Sequence, residues 1–207
     1  MWPLGLVAFL LSWPVVRALT VRLTRGRFRT QALGTQPDRI YLVRSTQPQW
    51  RQEQLRDYAA RQLSTSGFVN AGTFQVREMP ELTLGLYANA QENAYAMLYD
   101  HPRTGFWAEF VTRYTDGTIA HFTTLEPMDV EVPQGSLHVA APHLTLGDLW
   151  KTMLAQRPSK PMLPCNPFTA ASDFEKGYAE SVAHHKMQTP TPVLETTMED
   201  EEIRQAA

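Results

Sequence analysis

Residues 106–118 read FWAEFVTRYTDGT, and this stretch decides the fold. Phe106, Ala108, Phe110, Thr112 and Tyr114 alternate with Trp107, Glu109, Val111 and Arg113, the period-two pattern of a strand. Large apolar groups occur in both sets, so both faces of this strand are expected to be covered, and the pattern leaves open which face meets helices. Asp116-Gly117 follows the run and is the dipeptide of a tight hairpin, read here as a type I′ turn with positive φ at both central residues.

Working outward, further runs rich in aromatic and β-branched residues lie at 39–44, 68–79, 82–88, 94–99 and 118–124, separated by turn formers. Asp100-His101-Pro102-Arg103-Thr104-Gly105 is an explicit turn, with Asp100 expected to start it through its side chain. The sheet is therefore read as an antiparallel meander of five or six strands, not a parallel nucleotide-binding sheet.

Helical signals flank the meander. A helix is expected over about 49–63, opened by Pro48, with Leu55, Tyr58, Ala59 and Gln62/Leu63 facing inward and Gly67 just past its end. Thr145-Leu146-Gly147-Asp148 resembles a capping box, with Leu144 and Leu149 placed as a hydrophobic staple. Leu146, Leu149, Trp150, Met153 and Leu154 continue as an apolar stripe until Arg157-Pro158. Ser172-Asp173-Phe174-Glu175 opens a third helix to about Lys186, with Phe174, Tyr178 and Ser181 on its apolar side. The fold class is α+β: an antiparallel sheet covered by about three helices and preceded by one N-terminal membrane helix.

The 207 residues divide on this reading into a membrane anchor (1–21), a basic juxtamembrane linker (22–38), the α+β domain (39–186) and an acidic flexible tail (187–207). Residues 1–29 hold five arginines and no acid. The rest holds 14 basic against 21 acidic residues, a balance unsuited to nucleic-acid binding. WPLGLVAFLLSWPVV over 2–16 is uncharged, and with Ala18-Leu19-Thr20-Val21 it reaches the length of a span, interrupted only by Arg17. Because the arginines follow the apolar run, a signal-anchor would place the domain in the cytoplasm, single-pass at the cell membrane. A cleavable signal peptide and an in-plane amphipathic helix are the alternatives. Arg22, Arg25, Arg27 and Arg29 are candidates for contact with anionic lipid.

Chemistry-bearing patterns are sparse. The six histidines (His101, His121, His138, His143, His184 and His185) form no H-x-H, H-x-x-x-H or H-E-x-x-H motif. His138 and His143 are expected in a loop. Cys165, between Pro164 and Asn166-Pro167, reads as a small apolar filler. There is no G-x-S-x-G elbow and no phosphate-binding glycine loop. No catalytic, cofactor-binding or metal-ligating residue is assigned. The leading expectation is a non-catalytic, membrane-anchored binding module. The alternative is a hydrolase or metal-dependent enzyme whose site gathers His101, His121 and His143 with nearby acids.

Gly67-Phe68, Asp100-His101-Pro102, Gly105-Phe106-Trp107, Tyr114-Thr115-Asp116-Gly117-Thr118 and Phe122-Thr123-Thr124 together resemble uncharacterised bacterial proteins that carry one N-terminal membrane segment and a small α+β domain. The likeness spans about residues 50–185 and rests on turn and strand signatures. It implies a membrane-anchored domain and carries over no functional residue.

Overall fold

The computed structural model describes residues 37–126 and 134–188, the last five as backbone only. Seven strands and three helices follow the order β1 (Leu42–Arg44), α1 (Glu53–Thr65), β2 (Val69–Val76), β3 (Met79–Asn89), β4 (Ala94–His101), β5 (Gly105–Arg113), β6 (Ile119–Thr123), β7 (Leu137–Ala140), α2 (Leu146–Gln156) and α3 (Ala170–Gln188). The strands lie side by side in chain order. Pairing is antiparallel from β1 to β6, and β7 joins β6 in parallel. The expectation of five or six strands in a purely antiparallel meander is thus corrected. The seventh strand is a four-residue segment that sequence patterning assigns to a loop, and its partner lies across the connection 124–136 rather than across a hairpin.

Alternation in β5 sorts the two faces, and both are covered. On the first, Ala96, Leu98, Ala108, Phe110, Ala120 and Phe122 pack against Ala59 and Leu63 of α1 and Leu149, Trp150 and Met153 of α2. Register places Ala96 beside Phe110 and Ala108 beside Leu98. These small residues leave room for the rings of Phe68, Phe110 and Trp150, whose centroids lie 4.8–5.6 Å apart. On the second face, Phe74, Leu84, Leu86, Met97 and Tyr99 pack with Ala170, Phe174 and Tyr178 of α3.

Helix ends follow local chemistry with two departures, at α1 and at α3. Helix α3 begins at Ala170 rather than at Ser172-Asp173-Phe174-Glu175, with the Thr169 hydroxyl donating to the Asp173 carboxylate at 2.8 Å. At α2, Thr145 accepts the Asp148 amide at 3.2 Å, and the Thr145 hydroxyl donates to the Asp148 carboxylate at 2.7 Å, the expected cap. At α1 the first turn begins at Glu53, not near Pro48, because the buried Asp100 carboxylate accepts the amides of Arg51 (2.6 Å) and Gln52 (3.0 Å). Asp100 is therefore a long-range cap rather than the starter of its own turn. Leu55 and Tyr58 are about half exposed, so α1 buries a narrower stripe, Ala59 and Leu63, than expected. Leu154 of α2 is likewise exposed.

The 114–118 hairpin also differs in type. Gly117 has φ +83°, but Asn93 is the one non-glycine among the described residues with positive φ. The bonds Gly117 N–H to Tyr114 O (3.1 Å) and Tyr114 N–H to Thr118 O (3.0 Å) define a type I turn with Gly117 in the bulge position. Asp116 caps this turn through the Thr118 amide and hydroxyl, and those bonds with the Lys160 ammonium hold its carboxyl down at about 2.

Among the described residues no helix is long and apolar enough to cross a membrane. The anchor read at 1–21, nearly all of the basic linker and nearly all of the acidic tail lie outside the described residues.

Candidate functional site

The feature with the most chemistry is a cavity of about 610 Å³ between the second sheet face and α3. Its sheet wall carries Leu86, Tyr95, Met97, Tyr99, Glu109, Val111, Arg113 and His121, and α3 contributes Phe174 and Tyr178. The alternation of β5 explains the polar part of that wall. Trp107, Glu109, Val111 and Arg113 share the face opposite the Phe110 core, and register sets His121 of β6 directly beside Val111.

Three polar ties hold α3 over the sheet. Tyr95 donates its hydroxyl to Asp173 at 2.6 Å, the Leu42 amide donates to Glu175 at 2.6 Å, and Arg113 pairs with Glu180 at 2.9 Å. Burial, together with the Asp173 carboxylate, pushes the Tyr95 hydroxyl up to about 12, so it stays a donor at neutral pH.

Glu109 organises the deeper wall. It accepts from the Tyr99 hydroxyl at 3.0 Å and from the Trp107 indole at 3.2 Å. His121 Nε2 lies 3.3 Å from Glu109 Oε2, an ion-pair contact without an aligned hydrogen bond. Burial opposes the carboxylate charge, but His121, Tyr99 and Trp107 outweigh it and hold Glu109 below the ordinary carboxylate range. Burial and the nearby carboxylate drive the Tyr99 hydroxyl well above its usual value. On its other side, His121 Nδ1 meets His138 Nδ1 at 2.8 Å. A connected line therefore runs from Tyr99 through Glu109 and His121 to His138, from the sheet centre to the β7 edge.

The histidine trio weighed from the sequence is not brought together. His101 closes the β4–β5 turn, taking contacts from Arg103, Thr104 and Glu81. His101 pairs with Gly105 on β5 and His121 with Val111, which at roughly 3.3 Å per residue separates them by about 20 Å along the strand. His143 is exposed in the turn before α2. The side chains of His184 and His185 lie outside the described set. His121 does meet a histidine and a carboxylate, but they are His138 and Glu109, and cross-strand register is the signal that would have found them. Among the described residues no group of three or more His, Cys, Asp or Glu is placed to hold a metal ion.

Cys165 is buried, and its thiol donates to the carbonyls of Asn89 (3.0 Å) and Ala94 (3.5 Å). Burial pushes it above the usual thiol range, the opposite of what a nucleophile needs.

No family model matches this chain, and no curated protein and no solved structure proved similar to it.

Proposed function

We propose that this chain is a non-catalytic binding module that takes up a small, mostly apolar molecule with one hydrogen-bonding end in the cavity beneath α3. We further propose that residues 1–21 hold the module on the cytoplasmic side of a membrane. The observation that carries the binding reading is the cavity itself: its volume of about 610 Å³ falls in the range of roughly 300–1,000 Å³ typical of ligand sites. Leu86, Met97, Val111, Ile119 and Phe174 offer an apolar body of surface, while Arg113 and the Glu109–His121 pair supply a few convergent polar groups. Binding is favoured over catalysis because these groups are committed to one another. Glu109 is held by Tyr99, Trp107 and His121, and Arg113 is held by Glu180.

N-phenyl-1-naphthylamine, an apolar fluorophore with one N–H, tests the cavity. Saturable one-site binding that weakens at least tenfold in Val111→Trp is expected, and no saturable binding to the unaltered chain overturns the reading. The arginine asymmetry of residues 1–29 supports the membrane placement. Sedimentation of the full-length chain with membranes, and its release on deleting 1–21, is expected. Full-length chain in the soluble fraction contradicts it.

A further inference from the structure

We propose that the His121–His138 contact is a proton-operated latch that fastens β7 to the sheet and ties the polar wall of the cavity to pH. Two imidazoles whose Nδ1 atoms face each other at 2.8 Å need one N–H and one lone pair between them. A neutral or singly protonated pair meets that need. A doubly protonated pair points two N–H groups at each other and cannot.

The surroundings of the two rings differ. Glu109 of β5 lies against His121 Nε2, and Tyr99 of β4 and Trp107 of β5 donate to the same carboxylate. Arg113 of β5, on the same cavity wall, is offset by Glu180 of α3. The carboxylate therefore lies on the His121 side of the contact, and a proton on His138 is opposed by burial and by charge on His121. Burial and that charge hold His138 below the ordinary histidine range, in agreement with the geometry.

The element that gives way is β7. It is four residues long, parallel to β6, at the sheet edge and only half-buried at every position. Parallel pairing is the weaker kind per residue, and the inward anchors of β7 are Leu137 and Val139 alone. Acidification thus separates His138 from His121 and frees His121 Nδ1, on the cavity wall, to meet a ligand or water. That last consequence rests on the cavity being a binding site. The latch itself does not.

Amide hydrogen exchange on the full-length chain, without any ligand, tests the latch separately. After correction for the intrinsic pH dependence of exchange, Leu137–Ala140 should lose at least tenfold in protection between pH 7 and pH 5 relative to Ala108 and Phe110 of β5. His138→Gln should make that ratio independent of pH. If His138→Gln does not fold, His121→Gln removes the same charge pair and carries the same expectation. Equal relative protection of β7 at both pH values, or a pH-dependent loss that persists without the histidine pair, overturns the proposal.

Discussion

Tyr99 and Trp107 stack with ring centroids 4.6 Å apart and planes 7° from parallel, and both donate to the carboxylate of Glu109. The pairing follows from register, since Tyr99 of β4 sits opposite Trp107 of β5. Stacked rings thus fix two donors beside a largely buried anion that also touches His121.

Glu109→Gln tests this arrangement. An amide offers one oxygen, so its NH2 must face either the Tyr99 hydroxyl, which can rotate to accept, or the Trp107 N–H, which cannot. Loss of the charge-assisted bonds should destabilise the fold by about 1.5–3 kcal/mol. An unchanged urea midpoint would show that the carboxylate is not held as described.

The pH dependence of stability has a definite sign. The folded-state value of Glu109 lies below the ordinary one, so its contribution is complete above about pH 4.3 and is lost as pH falls through the folded value. His138 is also depressed, so the native state resists its protonation and stability begins to fall below about pH 6.5. Denaturation midpoints measured from pH 8 to about pH 2 should decline on acidification in both windows. Glu109→Gln should flatten the lower one, and a rise in midpoint from pH 7 to pH 5 runs against the His138 assignment.

Asp100 joins β4 to the start of α1. Asp100→Ala leaves the Arg51 and Gln52 amides without their partner, at a cost of about 1–3 kcal/mol, whereas Asp100→Asn keeps one acceptor and should cost less. Equal midpoints for the alanine variant and the parent would remove Asp100 as the cap.

How much of this was legible from residue order depended on range. The two faces of β5, the Thr145 cap of α2 and the positive φ of Gly67 follow from neighbours within a few residues, and each could be read directly. Asp100 capping across 49 and 48 residues could not, because the local Asp-His-Pro sequence equally suits a turn. Strand β7 was missed because Leu-His-Val-Ala is too short to show a period and pairs in parallel with a distant strand. Missing β7 hid His138, and with it the polar line through His121. In α1, Leu55 and Tyr58 match the helical period but point past the edge of the packing surface.

The α2 stripe separates into buried and exposed members. Leu149→Ala should cost about 2–5 kcal/mol, since Leu149 is wholly buried between α1 and the sheet. Leu154→Ala should stay within about 0.5 kcal/mol, because Leu154 is 39% exposed. Comparable losses for the two would mean that α2 is rotated about its axis.

The cavity beneath α3 carries the functional reading, and its occupancy can be mapped by residue. In a ¹⁵N NMR titration with N-phenyl-1-naphthylamine, amides of Met97, Val111, His121, Phe174 and Tyr178 should shift together with one dissociation constant, while those of Ala59 and Leu63 on the opposite face stay in place. Shifts centred on the exposed Leu55–Tyr58 surface, or none on α3, would contradict a ligand site between α3 and the sheet.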